Sequence, residues 1–165
     1  VLNHAIIIHY AHGGMATVTM ASTGSFAYPK ELLEAIGGGG IVVCDHMLEV
    51  RTGGIVGAPP VTRFPMLNDR HPNVGREGGL HGWLEKKQAA CAEAANDPML
   101  QFTAEPDKGH RRMLAEFIRE IRGERGPVCP ASDAVLATRV CLAAAKSYIE
   151  GRAVDMSEIA GGRQP

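Results

Sequence analysis

Hydrophobic and polar positions over residues 3–24 follow the pattern of β-strands. The runs N-H-A-I-I-I-H-Y-A-H and M-A-T-V-T-M-A-S-T-G lie on either side of Gly13 and Gly14. Ile, Tyr, Val and Thr favour strands, and a pair of glycines tolerates the positive φ angles of a tight turn. The second run alternates with a period of two. The pattern therefore predicts a β-hairpin.

Residues 30–36, K-E-L-L-E-A-I, are ambiguous because their composition favours a helix. The segment is short, however, and it ends at four consecutive glycines, beyond which I-V-V-C-D reads as a strand. We therefore predict a second hairpin in which 30–36 pairs with 41–50. Residues 55–62 are expected to return as an edge strand, where their two prolines leave no ladder donor missing.

The segment 63–80 is rich in the residues that break regular structure and predicts a loop. From 81 to 95 the pattern becomes helical, and Trp83 is expected to anchor this helix to the sheet. Loop and helix together look like an insertion over 63–104.

Two further helices are predicted after the insertion. The first spans about 109–122, with Asp107 as its N-cap and an apolar stripe along one side. The second spans about 132–150, with Ser132 as its cap and Gly151 as its stop. Since the second helix is apolar on nearly all sides, we expect it to be buried in a core.

The end of the sequence predicts a short strand over 152–156 and a tail over 158–165. Strands therefore precede helices, and this order predicts an α+β fold with a largely antiparallel, open-faced sheet and helices packed on one face. The open face is semi-apolar, which is typical of a surface that meets another protein.

Composition narrows the function classes. With 165 residues, 45% hydrophobic residues and a net charge of −1, the chain is expected to form one domain over 1–157. Near-neutral charge favours neither nucleic acid nor membrane, and no apolar run has the length of a membrane helix. Four widely spaced cysteines and the lack of a signal peptide indicate reduced thiols in the cytoplasm. The absence of an initial Met suggests a chain cut from a longer one.

The C-terminal pattern resembles a known family. The strings D-K-G-H-R-R-M-L-A-E-F-I-R-E-I-R-G, P-V-C-P, S-D-A-V-L-A-T-R-V-C-L-A-A-A-K-S-Y-I-E-G and A-V-D-M are similar to the C-terminal domain of the Gfo/Idh/MocA oxidoreductases. The hairpins over 1–62 resemble the sheet of that domain. Residues 63–104 have no counterpart in the resemblance.

The resemblance implies a two-domain enzyme acting on a sugar or polyol. In that family a Rossmann domain holds NAD or NADP, a Lys in an E-K-P motif serves the chemistry, and the C-terminal sheet shapes the substrate pocket and forms a homo-oligomer. This sequence contains neither G-x-G-x-x-G nor E-K-P, and its four glycines lead into a strand rather than a helix. We therefore expect it to bind no cofactor and to be inactive by itself. The alternative is a stand-alone, non-catalytic dimerisation or ligand-binding module.

Three residues are candidates for contact with a small-molecule substrate. Lys108 and His110 lie at a predicted helix start, where positive charge favours anionic or hydroxylated ligands, although a cap with two solvated side chains is the favoured explanation. Arg76 belongs to a polar cluster of the long loop, R-H…R-E…H, which could form a substrate lid or a partner-ordered insertion.

Histidine and cysteine positions are weak candidates for a metal site. His4 and His12 share one face of a strand and His9 lies on the other, so the three cannot converge. Cys44 and His46 share a face and could bind zinc if a third ligand lay near. Ordinary structural roles are favoured, and we predict no metal site and no catalytic residue.

Overall fold

The structure, a computed structural model, is an α+β fold, as the sequence predicts, and its described part contains two antiparallel sheets and three α-helices. Two compact units divide the chain, one formed by 1–20 with 111–165 and the other by 21–110. The residues described are 3–25, 27–65, 74–96, 105–106 and 108–159.

The first unit contains the predicted N-terminal hairpin. Strand β1 (Asn3–His9) pairs with β2 (Met15–Ala21). Tyr10 and Gly14 close the turn through a 2.9 Å hydrogen bond, and Gly13 has a φ of 89°. The pairing confirms the hairpin that the glycine pair indicates.

The second unit is built on a four-stranded antiparallel sheet. The segment with helical propensity is a strand, as predicted, because it pairs with its neighbour from Leu32 opposite Asp45 to Gly37 opposite Gly40. In the order in which they pair, the strands are β3 (Leu32–Gly37), β4 (Gly40–Asp45), β5 (Glu49–Gly53) and β6 (Val61–Arg63).

Two differences from the predicted sheet concern its turns. Residues 41–50 are not one strand, since the chain reverses between β4 and β5 at His46 and Met47. The edge strand β6 is shorter and later than the predicted 55–62, because the chain first forms an irregular loop in which Thr52 donates to the Pro60 carbonyl at 3.0 Å.

Glycine is required where two turns of this sheet meet. Gly54 has a φ of 69°, and a Cβ built there would collide with the carbonyl oxygen of Gly39. Gly38 and Gly39, between β3 and β4, also have positive φ angles, as a two-residue hairpin turn needs.

Helix α1 (Val74–Glu93) begins earlier than the sequence predicts. Residues 74–78, which the sequence predicts as part of a loop, form a first helical stretch. This stretch is interrupted at Gly79 (φ 57°, ψ −146°) before the helix continues. Trp83 lies on this helix, is fully buried and packs with Leu48, and this cluster is the core of the second unit.

Helix α2 (His110–Ile121) has the predicted bounds. Gly123 follows it with a φ of 71° and donates to the Glu120 carbonyl at 2.9 Å, which ends the helix. The predicted cap Asp107 lies outside the described residues. The apolar stripe is exposed, with Ile121 at 70%.

Helix α3 (Ala131–Glu150) ends as predicted at Gly151, whose φ is 64°. Its N-cap is Pro130 and not Ser132, because the helix starts one residue before the predicted cap. The prediction of a helix buried on all sides is wrong for this chain alone. Ala143 is its buried residue, whereas Val135 and Ile149 are 57% and 80% exposed.

The predicted final strand is absent from the described residues 152–156. A 3-10 helix (Met156–Glu158) stands there instead, and Asp155 caps it by accepting from the Ser157 amide at 2.8 Å. Glu158 reaches back to the Asp155 amide at 3.0 Å, which completes a capping box. The predicted tail lies outside the described residues from 160 onwards.

No helix in the described ranges is long and apolar enough to cross a membrane.

Candidate functional site

The turn between β4 and β5 contains two residues with an unusual backbone conformation. His46 and Met47 are consecutive non-glycine residues with φ angles of 50° and 57°. Each such residue costs about 1–2 kcal/mol, and strain of this kind persists only where the surroundings hold it. The turn is therefore a candidate for a built site.

Burial of the His46 ring holds this turn. The side chain is fully buried, and its ring centroid lies 4.0 Å from that of Trp83 at an interplanar angle of 56°. The His46 amide donates to the Glu31 carbonyl at 2.7 Å, and the Leu48 carbonyl accepts from the Phe64 amide at 2.8 Å. Backbone and ring are thus fixed together.

The polar contacts of His46 are few. The Lys30 amide donates to Nδ1 at 3.4 Å, which places the proton of the neutral ring on Nε2. Oxygen Oε2 of Glu31 lies 3.3 Å from the same Nδ1 without a hydrogen bond to it, and Nε2 has no hydrogen-bond partner. Burial lowers the pKa of His46, and the nearby Lys108 lowers it further, against the opposite effect of Glu31.

Two ion pairs lie beside the ring. Lys108 pairs with the other carboxylate oxygen of Glu31, and the fully buried Lys87 pairs with Glu105. Burial opposes ionisation of Glu31, but the hydrogen bond and the charge of Lys108 outweigh it, so the pKa of Glu31 is below its ordinary value of 4.5. A buried ammonium needs such a partner to stay charged.

The three predicted substrate residues have different surroundings. Lys108 belongs to the cluster just described, with a side chain that is 40% exposed. His110 is exposed at the start of α2, and Arg76 is exposed in the first turn of α1. No hydrogen bond or ion pair between described residues joins Arg76 to Lys108 or His110, so their role in substrate binding stays a prediction.

The histidines of the first hairpin do not form a cluster. His4 and His9 are exposed on β1, and His12 lies in the turn rather than in the strand, stacked on Tyr10 at 5.6 Å. Within the described ranges no group of three His, Cys, Asp or Glu side chains could hold a metal ion.

Cys44 and His46 do not share a face, because His46 has left the strand. Cys44 instead donates to the Met47 sulfur at 3.9 Å, while the His46 ring lies under Trp83. The long-loop cluster is only partly described. Its first Arg and His, at 70 and 71, lie outside the described residues, and His81 pairs with Glu85 at 3.3 Å on the helix surface.

The two faces of the β3–β6 sheet differ in charge. The strand register places every charged side chain of the four strands on one face, where Arg51 bonds to Asp45 at 3.0 Å and Arg63 to Glu49 at 3.3 Å. The other face is uncharged, and none of its residues is buried. Its side chains, which we call the uncharged face, are Leu33, Ala35, Val42, Cys44, Val50, Thr52 and Thr62.

Helix α1 contacts the charged face at Glu49 and Arg63. A Cβ at Gly79 would meet the side chains of Glu49 and Arg63, and Arg63 donates to the Glu77 carbonyl at 3.5 Å. The uncharged face continues into a shallow apolar groove of about 540 Å³, whose lining includes Val42, Ile55 and Val56.

Sequence reasoning missed His46 as a central residue and missed Glu31 altogether. Neither lies in a recognisable motif, and D-H-M-L reads as a continuing strand because it contains no glycine. A histidine between two strand segments is the one signal that could have indicated a turn, because histidine adopts positive φ angles more often than most other non-glycine residues.

No family model, no curated protein and no solved structure matches this chain. The resemblance to the Gfo/Idh/MocA C-terminal domain therefore stays a prediction from the sequence.

Proposed function

We propose that this chain is the substrate-binding and assembly domain of an NAD- or NADP-dependent oxidoreductase that acts on a sugar or polyol. The nucleotide would be held by a Rossmann domain outside this chain. The uncharged face of the β3–β6 sheet is the observation that supports the assembly role best. Substrate binding by Lys108, His110 and Arg76 rests on their positions in the sequence, at a predicted helix start and in the polar cluster of the predicted long loop.

A second copy of the chain is the occupant that fits the uncharged face. Leaving this layer in water is unfavourable because it is largely apolar. A charged partner would lose its hydration there without gaining a counter-charge. A second copy brings the same uncharged surface, and such self-complementary contact is what a two-fold dimer needs.

Adjacent leucines of β3 provide a matched test of the assembly role. Leu33 lies on the uncharged face and Leu32 on the charged face, with nearly equal exposures of 65% and 67%. We expect Leu33→Lys to convert a dimer to a monomer and Leu32→Lys to leave it unchanged, as measured by size-exclusion chromatography with light scattering. A dimer that tolerates Leu33→Lys would contradict assembly through this face.

Titration with NADH and NADPH tests whether this chain binds the nucleotide by itself. We expect no binding, because the glycine-rich turn at Gly38 and Gly39 joins two strands and presents no helix N-terminus to a phosphate. Micromolar affinity of the chain alone would contradict the proposal.

The uncharged face also favours a second candidate, a stand-alone dimerisation module. The coding sequence before Val1 separates the two. A G-x-G-x-x-G motif and an E-K-P motif in that reading frame support the oxidoreductase, and a stop codon directly upstream supports the module.

A further inference from the structure

Charged groups approach the buried His46 ring from several elements. Its Nδ1 faces the Lys30 amide and the Glu31 carboxylate. The charge of Glu105, which Lys87 holds, favours a protonated ring, and the charge of Lys108 disfavours it. In the hairpin of His46 itself, Asp45 is held by Arg51 at 3.0 Å.

The Glu31 carboxylate lies between two possible partners. Lys108 bonds to Oε1, and Oε2 lies 3.3 Å from Nδ1 of His46 without a hydrogen bond. With its proton on Nε2, the neutral ring accepts from the Lys30 amide at Nδ1 and does not donate to that oxygen. A ring protonated at Nδ1 has the opposite need, since it can only donate.

We propose that Glu31 is a proton-controlled switch that pairs with Lys108 when His46 is neutral and with His46 when the ring is protonated. One proton from solvent adds to Nδ1, which then donates to Oε2 of Glu31. The Lys30 amide loses its acceptor, and the Lys108 ammonium moves into water. No covalent bond changes.

The difference in solvent exposure between Lys108 and His46 determines which cation stays paired with the Glu31 carboxylate. The Lys108 side chain is 40% exposed, so its ammonium can be hydrated on a flexible stem. The His46 ring is fully buried and has no such alternative. A buried charge needs a counter-charge in contact, and the repulsion between two cations at one carboxylate favours release of the exposed one.

The strained turn makes the exchange two-state. His46 and Met47 keep positive φ angles while the ring is packed against Trp83. A ring drawn closer to Glu31 than 3.3 Å changes this contact, so the ring, the carboxylate and the lysine are expected to move together.

The single tryptophan of the chain reports on this event directly. Trp83 is the one Trp in the sequence, and its ring lies against His46. A protonated imidazole in contact quenches indole fluorescence. We expect the emission of the full chain to fall in one step as the pH is lowered, with a midpoint below the ordinary histidine pKa of about 6.5. The variant His46→Asn, which tolerates a positive φ, removes the step.

The role of Lys108 is tested by a matched pair of variants. We expect Lys108→Met to raise the midpoint by about half a pH unit, a threefold gain in proton affinity, because it removes the competing cation. Lys86→Met removes an exposed lysine of α1 and should leave the midpoint unchanged. The absence of a step, a step that persists in His46→Asn, or equal midpoints in the two lysine variants would overturn the switch. If His46→Asn does not fold, the lysine pair decides the matter.

Discussion

The ring of His46 lies 4.0 Å from that of Trp83, and both side chains are fully buried. This contact joins the β4–β5 turn to helix α1, so the turn keeps a backbone conformation that its residues would not adopt by themselves. The packing of one histidine thus sets the geometry of a hairpin.

Replacing Met47 by glycine is expected to stabilise the second unit. Met47 has a φ of 57° and a side chain that is 53% exposed, so glycine relieves strain without removing core packing. The expected gain in the free energy of unfolding is about 0.5–1 kcal/mol, measured by urea denaturation. Met15→Gly, at an exposed strand position, should instead destabilise the chain. Loss of stability in Met47→Gly would show that the turn is not strained.

Gly79→Ala is expected to destabilise the contact between helix α1 and the sheet. Gly79 has φ and ψ angles that favour glycine, and a Cβ there meets Glu49 and Arg63. We expect a loss of about 2–4 kcal/mol in the free energy of unfolding. The neighbouring Gly78 has open space around it, so Gly78→Ala should be neutral or stabilising by up to about 1 kcal/mol. Equal effects of the two variants would refute the close approach.

The Glu31–Lys108 pair predicts a specific loss of stability in acid. Because the pKa of Glu31 in the folded chain is below 4.5, the unfolded chain binds more protons as the pH falls below that value, and the free energy of unfolding decreases. Lys108→Met should reduce the total decrease measured from pH 7 downwards, because the variant lacks the pair that stabilises the folded chain while His46 is neutral. Since the two side chains are 40% and 33% exposed, we expect a difference of at most about 1 kcal/mol. Urea denaturation at a series of pH values from 7 downwards measures it, and an unchanged dependence over the whole range would exclude the pairing.

Glu158→Ala is expected to loosen the capped turn at the end of the first unit. The hydrogen bonds from Arg152, Lys146 and the Asp155 amide, in that order, hold the pKa of Glu158 well below its ordinary value. We expect faster hydrogen exchange at the Asp155 amide. Glu150→Ala removes a neighbouring partner of Arg152 and Lys146 but no backbone bond, so exchange at Asp155 should stay slow. Equal rates in both variants would argue against the capping box.

Elements whose ends are marked by glycines could be predicted from the sequence. The strand β3 was separable from a helix because glycines follow it, and Gly123 and Gly151 mark the ends of α2 and α3 through their positive φ angles. Each of these signals acts over a few residues, so no knowledge of distant contacts is needed.

Elements that depend on contacts distant in sequence could not be predicted. The turn at His46 exists because Trp83 lies 37 positions away in the chain and buries its ring. The pairing of Glu31 with Lys108 also joins residues far apart in sequence. The exposure of α3 was missed because an apolar surface pattern does not say whether its partner belongs to the same chain.

The contact between Gly54 and the Gly39 carbonyl has a consequence for recognising distant homologues. No other amino acid fits at 54 without separating two turns that meet backbone to backbone. Substitution or insertion at either turn would have to be matched by a change in the other. A glycine at this position, paired with a glycine-rich turn fifteen residues earlier, is therefore a signature by which highly diverged sequences of the same architecture can be sought.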